Sequence, residues 1–297
     1  MDTTLNEVIE AFVAAPRRTP LGAAALGRLS FWRETLGERP IVEVTPEDVD
    51  EAIAALTARG RLRAVRGRPP VPTGEPLKGS TINRHLSDLG SLFRLARRLR
   101  VIPRGHVSPL TGVERHPEPI DPTRYLRPEE VERIIAMARL VDRRWRKMPA
   151  LIRLAFTTGL RVGNLLDLRW ADVDLQARTL SVTRTKNGHP IVSPISPAAA
   201  AELLKLSRGE ANEWVFGNKR GGRYNYRRIW DAACREAGLP GRNFHQLRHG
   251  AASALAAAGV NQALLMSILG HRTLGASSRY MHLSVDDKRA AVESVFR

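Results

Sequence analysis

A proline-rich segment from Ile102 to Pro122, with no regular spacing of apolar residues, divides this chain of 297 residues into two parts. In the first part, apolar residues recur at the spacing of one face of an α-helix. The second part is also mostly helical in pattern, but between Arg178 and Ile195 it alternates as short strands do. The sequence therefore predicts a mainly α fold with a small antiparallel β-sheet, in two domains at 1–118 and 119–297.

The helices of the first part have recognisable ends. Thr45 can cap a helix, Pro46 fits its first turn, and the acidic residues that follow suit the positive end of the helix dipole. That helix should end at Gly60. We expect the other three helices at 3–15, at 21–36 and onward from a Ser80 cap.

The second part contains more helices and one hairpin. The predicted hairpin has Leu180 and Val182 in one strand and Ile191 and Val192 in the other, with Lys186-Asn187-Gly188 at the turn. Apolar residues of a last amphipathic helix lie within 285–296, after a Ser284 cap. The remaining helices are expected at Pro128–Ala138, at Ala150–Thr157 and near Pro197, Arg223, Phe244 and Asn261.

The charge of the chain is strongly positive and unevenly distributed. The formal net charge is +17, from 47 basic and 30 acidic residues. Residues 1–120 carry a net charge of +4 and residues 121–297 a net charge of +13. Such an excess favours a polyanionic partner, because bound lysines and arginines displace counterions from phosphates. The alternative is a solvated basic surface.

The segment Arg61 to Gly79 contains five basic residues, four prolines and three glycines. Glycine and proline interrupt regular structure, so we expect a mobile loop here. It is either a solvated linker or a strap that lies on nucleic-acid phosphate, and the sequence leaves both open.

Cys234 is the one cysteine, and we expect it to fill space in an apolar core. A single cysteine forms no intrachain disulfide, which fits a reducing compartment. No stretch is long and apolar enough to span a bilayer, and no signal region is recognised at the start of the chain. We expect a cytoplasmic, nucleoid-associated protein without a membrane partner.

Two stretches of the second part carry cations suited to phosphate chemistry. In Thr158-Gly159-Leu160-Arg161, Gly159 ends one helix and places Arg161 near the start of the next, where a guanidinium can bind a phosphate through two bonds. Lys186, at the predicted turn, can reach a leaving oxygen and donate a proton. Alone, either residue is compatible with an ordinary surface position.

The stretch His245-Gln246-Leu247-Arg248-His249 falls in a predicted helix. Positions three apart share a helix face, so His245 and Arg248 can contact one phosphate together. His245 and His249 also have the spacing of zinc ligands. A zinc peptidase would carry glutamate between them, however, and Gln246 cannot act as a general base.

Leu269-Gly270-His271 is followed, nine residues after His271, by Tyr280. Exchange at phosphorus needs a nucleophile, an acid for the leaving oxygen and cations around the non-bridging oxygens. A tyrosine serves as the nucleophile if nearby cations favour the phenolate, since the pKa of free tyrosine is about 10. Each residue alone fits a structural role, but the four stretches together supply all the parts.

With these motifs in this order, the second part resembles the tyrosine recombinases, the family of phage integrases and Xer-type resolvases. The matching motifs and the nine-residue step to Tyr280 cover the whole of this part. More weakly, the helical first part resembles the family's core-site-binding domain. No additional N-terminal arm-binding domain is recognised, so we expect similarity to the simpler, Xer-length members.

The resemblance implies a chemistry and a partner. Tyr280 would attack the scissile phosphate of double-stranded DNA, form a 3′-phosphotyrosyl bond and release a 5′-hydroxyl. Because the bond energy is kept in the phosphotyrosine, rejoining would need no ATP. No metal or other cofactor is expected.

The other roles are carried over residue by residue. Arg161 and Arg248 would bind the non-bridging oxygens, and Lys186 would protonate the leaving 5′-oxygen. His245 and His271 would hydrogen-bond the phosphate and assist proton transfer.

The resemblance also implies an assembly. The two domains would form a clamp around duplex DNA, and four protomers would exchange strands in pairs. The helix at 285–296 would pack on a neighbouring protomer or, alternatively, on its own domain. An accessory DNA-bending or directionality protein is a further expected partner.

One departure is Asn164, where the family usually has an acidic residue three positions after the first arginine. It motivates one alternative, a DNA-binding protein that has lost cleavage. A type IB topoisomerase, which relaxes DNA by the same chemistry, is a second, and a zinc enzyme built on His245, His249 and His271 is a third. Gln246 and Gly250 also differ from the commonest residues of the family.

Overall fold

The computed structural model divides the chain into two units, Met1–Ile120 and Asp121–Arg297, each with its own hydrophobic core. It describes residues 3–17, 20–65, 67–118, 125–183, 190–219 and 221–270. The turn at Lys186-Asn187-Gly188, His271, Tyr280 and the predicted helix at 285–296 lie outside the described residues.

Four helices build the core of the first unit. Thr45 and Asp48 form a reciprocal capping box at the start of the third helix, which ends at Gly60 with a φ of 69°, as predicted. The fourth helix starts at Gly79 without a side-chain cap, so the prediction that Ser80 caps it was wrong. The helices are α1 (Leu5–Ala14), α2 (Ala23–Leu36), α3 (Pro46–Arg59) and α4 (Gly79–Arg98).

A buried histidine joins α2 to α4 in this core. The indole of Trp32 donates to the backbone oxygen of His85 over 3.0 Å, and the rings of Phe31 and Trp32 meet the imidazole edge-on. Burial, together with the positive charges of Arg28 and Arg59, lowers the pKa of His85 to about 4. The imidazole is therefore neutral at physiological pH and packs as a core residue.

The segment 61–79 is not a loop throughout, and this prediction was wrong. Strands β1 (Leu62–Val65) and β2 (Arg68–Pro72) pair antiparallel and turn at Gly67, where φ is 71°. Proline cannot donate a ladder hydrogen bond, but it is tolerated in an edge strand, and a two-stranded hairpin consists only of edges. The prolines therefore did not prevent pairing.

The second unit contains seven helices among its described residues, and they share one hydrophobic core with a three-stranded sheet. Most lie where the apolar spacing places them, although α9 begins four residues after the expected Arg223. The helices are α5 (Pro128–Val141), α6 (Met148–Thr158), α7 (Val162–Leu166), α8 (Pro197–Leu204), α9 (Arg227–Glu236), α10 (Gln246–Ala257) and α11 (Gln262–Leu269).

The sheet is antiparallel in the order β3 (Val173–Asp174), β4 (Thr179–Val182) and β5 (Ile191–Pro194). Strands β4 and β5 are the predicted hairpin arms, with Val182 opposite Ile191. Alternate residues of β4, Leu180 and Val182, point into the core. The mainly α fold with small antiparallel sheets is thus confirmed.

A buried carboxylate fixes the connection between α5 and α6. Asp142 is 1% exposed and accepts hydrogen bonds from the Tyr224 hydroxyl at 2.8 Å and from the backbone N–H groups of Lys147 and Met148 at 2.8 and 2.9 Å.

Cys234 is buried in the same core, as expected, and burial raises the pKa of its thiol to about 12. Among the described residues no helix combines the length and apolar character that a membrane span requires.

Candidate active site

The turn between α6 and α7 places Arg161. The buried hydroxyl of Thr158 donates to the backbone oxygen of Leu154 at 2.6 Å and accepts from the N–H of Leu160 at 3.3 Å. Gly159 ends α6 in the left-handed conformation, with a φ of 62°. Leu160 is buried, so the chain is anchored on both sides of the glycine before it reaches Arg161.

Arg161 is the residue from which α7 starts, as predicted. Its backbone is extended and its carbonyl accepts from Asn164 and Leu165 at 2.9 and 3.2 Å. The side chain is half-buried and makes no hydrogen bond or ion pair with other residues in the described ranges. Among the described residues, therefore, no ion pair would have to break for this guanidinium to bind an anion.

The start of α10 places His245. Asn243 and Gln246 stabilise the turn that leads into α10: the Asn243 carboxamide oxygen accepts from the N–H of His245 at 2.9 Å, and the Gln246 carboxamide oxygen accepts from the N–H of Asn243 at 2.7 Å. His245 is exposed, and its ring meets that of His249 edge-on at 4.9 Å. Gln246 therefore has a structural role, and its Asn-x-x-Gln spacing is a signal of that role that the sequence analysis missed.

Arg248 links three of the four motif stretches. It is 6% exposed, and its guanidinium donates to the backbone oxygen of Gly159 at 2.6 Å and to that of Leu269 at 2.7 Å. One acceptor lies two residues before Arg161, and the other lies two residues before His271. Arg248 thus holds the backbones of the turn, of α10 and of the end of α11 together.

Close packing at two glycines brings the same segments together. A Cβ added at Gly159 would lie 2.3 Å from the Leu269 Cδ2 atom. Gly270, which ends α11 with a φ of 61°, leaves room for Ile191, whose Cδ1 atom would lie 2.8 Å from an added Cβ. Ile191 is the first residue of β5, the strand that follows the stretch containing Lys186. Residues that belong to the four motif stretches, or follow them closely in sequence, therefore lie together in one region of the unit.

Not every predicted site residue is described. The structure places Arg161, His245 and Arg248, whereas Lys186, His271 and Tyr280 lie outside the described residues. The roles of all six remain predictions.

Asn164 faces a polar cavity of about 280 Å³. Asp167 and Arg223 also line this cavity, and they form an ion pair with each other. Asn164, at the position that is usually acidic in the family, is neutral. The nearby carboxylate of Asp167, three residues further along the chain, is paired with Arg223.

The described tyrosines differ in their surroundings. Tyr224 is buried, and burial, reinforced by Asp142, raises the pKa of its hydroxyl far above the usual value, which disfavours the phenolate. Tyr226 packs edge-on against Phe244. The ring of Tyr125 lies edge-on to that of His249 in a motif stretch, at 6.2 Å.

Two further features of the site concern metal and packing. Within the part of the chain that the structure describes, no group of three or more His, Cys, Asp or Glu residues is arranged to hold a metal ion. At Gly250 an added Cβ would lie 2.3 Å from the backbone oxygen of Leu126, so α10 approaches that segment too closely for a side chain. Sequence reasoning missed this role, because it depends on a contact between distant parts of the chain.

Comparison with known proteins agrees with this geometry. The model of the phage integrase family matches residues 124–286. The chain is 26% identical over 300 residues to the integrase of Salmonella phage P22, covering 91% of this chain and 74% of that protein. It is 32% identical over 154 residues to the tyrosine recombinase XerC of Bifidobacterium longum, covering 46% and 43% of the two chains, so it spans less than half of XerC.

Among solved structures, the integrase of the transposon Tn1549, in complex with transposon right-end DNA, has the same fold. The TM-score is 0.73 at 19% identity, over 99% of this chain and 100% of that one. The family model matches more than half of the chain, and the family predicted from the motifs is confirmed: the chain belongs to the phage integrase family of tyrosine recombinases.

Proposed function

We propose that this protein is a site-specific DNA recombinase that breaks and rejoins strands through a covalent bond to Tyr280. The family and its named relatives support recombination as the activity. The observation that carries the proposal for this chain is the pair of bonds from Arg248 to the backbones of Gly159 and Leu269. These bonds hold the motif segments in register, which a catalytic centre assembled from distant parts of the chain requires.

In the proposed reaction the phenolate oxygen of Tyr280 attacks the scissile phosphorus. The bond from phosphorus to the 5′-oxygen breaks, and Lys186 gives a proton to that oxygen. The product is a 3′-phosphotyrosine and a free 5′-hydroxyl. Attack by a 5′-hydroxyl of another strand reverses these steps and releases the tyrosine, so the number of phosphoester bonds is conserved without ATP.

The remaining groups stabilise the charge that develops on the phosphate. Arg161 and Arg248 bind the non-bridging oxygens, and His245 and His271 donate hydrogen bonds to them. The half-exposed guanidinium of Arg161, without a partner among the described residues, supports this role. Cations and hydrogen-bond donors placed in this way supply the stabilisation that metal ions provide in other phosphoryl-transfer enzymes.

The partner is duplex DNA, and the charge supports this assignment. Residues 121–297, which contain all the proposed catalytic residues, have a net charge of +13. The helical first unit is proposed to bind the core site. Four protomers on two sites would exchange strands in pairs, with residues 285–296 contacting a neighbour and an accessory DNA-bending protein assisting.

Asn164 favours one competing function, a protein that binds DNA without cutting it. Asparagine keeps hydrogen-bonding capacity but lacks the negative charge that would orient neighbouring cations. We expect cleavage to persist, because all six catalytic positions are filled.

Capture of covalent complexes tests the proposal. Purified protein is incubated with fragmented DNA of the organism that encodes it, in EDTA and without ATP, and quenched with detergent. Wild type and Tyr125→Phe should retain DNA from one short inverted repeat, and Tyr280→Phe should bind DNA but retain none. Tyr125 is the matched control, because its ring contacts that of His249 in the motif stretch 245–249.

Other outcomes identify the alternatives. DNA binding without adducts in the wild type would favour the binding protein, and catalytic relaxation of any supercoiled plasmid would favour a topoisomerase. Loss of activity in EDTA would favour a zinc enzyme.

A further inference from the structure

The hairpin of β1 and β2 lies outside the hydrophobic core of the first unit. Every residue of β2, from Arg68 to Pro72, is exposed. Because successive side chains of a strand point to opposite faces, neither face of β2 is covered by other described residues. A two-stranded hairpin of this kind is marginally stable in water, so a partner that covers it would stabilise it.

The base of the hairpin is nevertheless fixed. The N–H of Arg61 donates to the backbone oxygen of Glu75 at 2.8 Å, and the N–H of Thr73 donates to that of Arg61 at 2.9 Å. The side chains of Arg61 and Glu75 form an ion pair at 2.5 Å. Arg63 and Arg68, further from this base, have no acidic partner among the residues that the structure describes. Their charges are therefore directed to solvent from a fixed base.

The hairpin concentrates the charge of its unit. Residues 61–78 contain five basic residues and one acidic residue, a net charge of +4. This equals the net charge of all residues 1–120, so the rest of that segment is neutral overall. The long-range attraction of the first unit for a polyanion thus centres on the hairpin.

Register and composition narrow the choice of partner. Arg63 pairs with Val71, and Arg68 pairs with Val65. The register shifts between these two pairs, so strict alternation does not hold along β2. Along β1, Arg63 and Val65 are two positions apart, which places Arg68 on the same face of the hairpin as Arg63. Three of the five residues of β2 are prolines, which lack the N–H that a further strand would need. This disfavours a protein partner that adds a strand and favours a polyanion that meets the face carrying the two arginines.

We propose that the hairpin 61–78 inserts into a groove of duplex DNA, with Arg63 and Arg68 contacting phosphates at the edge of that groove. A DNA groove can admit a two-stranded ribbon, and its walls carry phosphate on both sides. The inference rests on the proposed function in one respect, that duplex DNA is the partner.

The test is the salt dependence of binding by the full chain to a 40-base-pair duplex of arbitrary sequence. Each lost phosphate contact reduces the slope of log affinity against log salt by about 0.9. Arg63→Gln with Arg68→Gln should therefore lower the magnitude of the slope by about 2. Arg63→Lys with Arg68→Lys should keep the wild-type slope, because the charges remain.

The matched control is Arg98→Gln with Arg104→Gln, which removes the same charge from exposed positions of the same unit. It should keep the wild-type slope. A wild-type slope in the Arg63/Arg68 glutamine pair, or an equal decrease in the control pair, would overturn the inference. Covalent adducts of the wild type are measured in a separate experiment. If the wild type forms adducts but the Arg63/Arg68 glutamine pair keeps the wild-type slope, only the hairpin contact is rejected. If that pair has a reduced slope but the wild type forms no adducts, only recombination is rejected.

Discussion

Replacing Gly159 by alanine should destabilise the second unit by an amount that the structure allows us to estimate. The left-handed backbone at this residue, with a φ of 62°, costs an alanine about 1–2 kcal/mol. The added Cβ would lie 2.3 Å from the Cδ2 atom of Leu269, which is fully buried. Overpacking of this kind costs about 1–3 kcal/mol, so Gly159→Ala should lower the free energy of unfolding by about 2–5 kcal/mol in total.

The assay is urea denaturation followed by tryptophan fluorescence, since four of the five tryptophans lie in residues 121–297. Gly163→Ala is the control within the same segment. Among the described residues, no atom beyond the chain neighbours and the backbone of its own helix lies within 4 Å of a Cβ built at Gly163. Because Gly163 is in helix α7, alanine there should be neutral or stabilising by up to about 1 kcal/mol.

A double-mutant cycle separates the two causes. In a Leu269→Ala background the steric part should disappear and only the backbone part of about 1–2 kcal/mol should remain. The reasoning would be refuted if Gly159→Ala matched Gly163→Ala, or if Leu269→Ala left the cost of Gly159→Ala unchanged.

Three further predictions concern Arg248, Asp142 and His85, each with a comparison variant or a pH dependence. Arg248→Lys should lower the free energy of unfolding by about 1–3 kcal/mol per carbonyl left unpaired, whereas Arg161→Lys should change it by less than about 0.5 kcal/mol, in urea denaturation. Asp142→Ala should cost about 3 kcal/mol or more in the same assay, and Tyr224→Phe less, because the two backbone donors keep their acceptor. The pKa of His85 is lowered to about 4 in the folded state, so unfolding takes up a proton below pH 6.5. Stability of the first unit should therefore fall by about 3 kcal/mol between pH 6.5 and 4, and His85→Leu should remove that dependence in hydrogen exchange of α2 and α4.

Local signals predicted most of the fold. The cap at Thr45, the stop at Gly60 and the alternation in 178–195 depend on neighbouring residues, and the structure confirms them. The sequence analysis did not predict the hairpin at 62–72, because proline normally disfavours β-strands. Several prolines are tolerated here because both strands of a two-stranded hairpin are edge strands. Strand β3 has two residues, too few for an alternating pattern to be recognised.

Motif spacing proposes residue types for the candidate site but does not predict how they pack. It selects Arg161 and Arg248 as candidates, whereas the bonds from Arg248 to two backbone oxygens join residues 89 and 21 positions away along the chain. Gly250 matters for a similar reason, since its neighbour Leu126 is distant in sequence. Contacts of this range depend on the packed helices, which one sequence does not specify residue by residue.

The most direct test of the central claim is mass spectrometry of the trapped protein–DNA complex after nuclease and trypsin digestion. Cleavage after arginine and lysine places Tyr280 in the peptide 280–288, Tyr125 in 125–133, and Tyr224 and Tyr226 together in 224–227. The account predicts a nucleotide on Tyr280, formed in EDTA without ATP. A nucleotide on either of the other two peptides, or no modified peptide from DNA-bound protein, would contradict it.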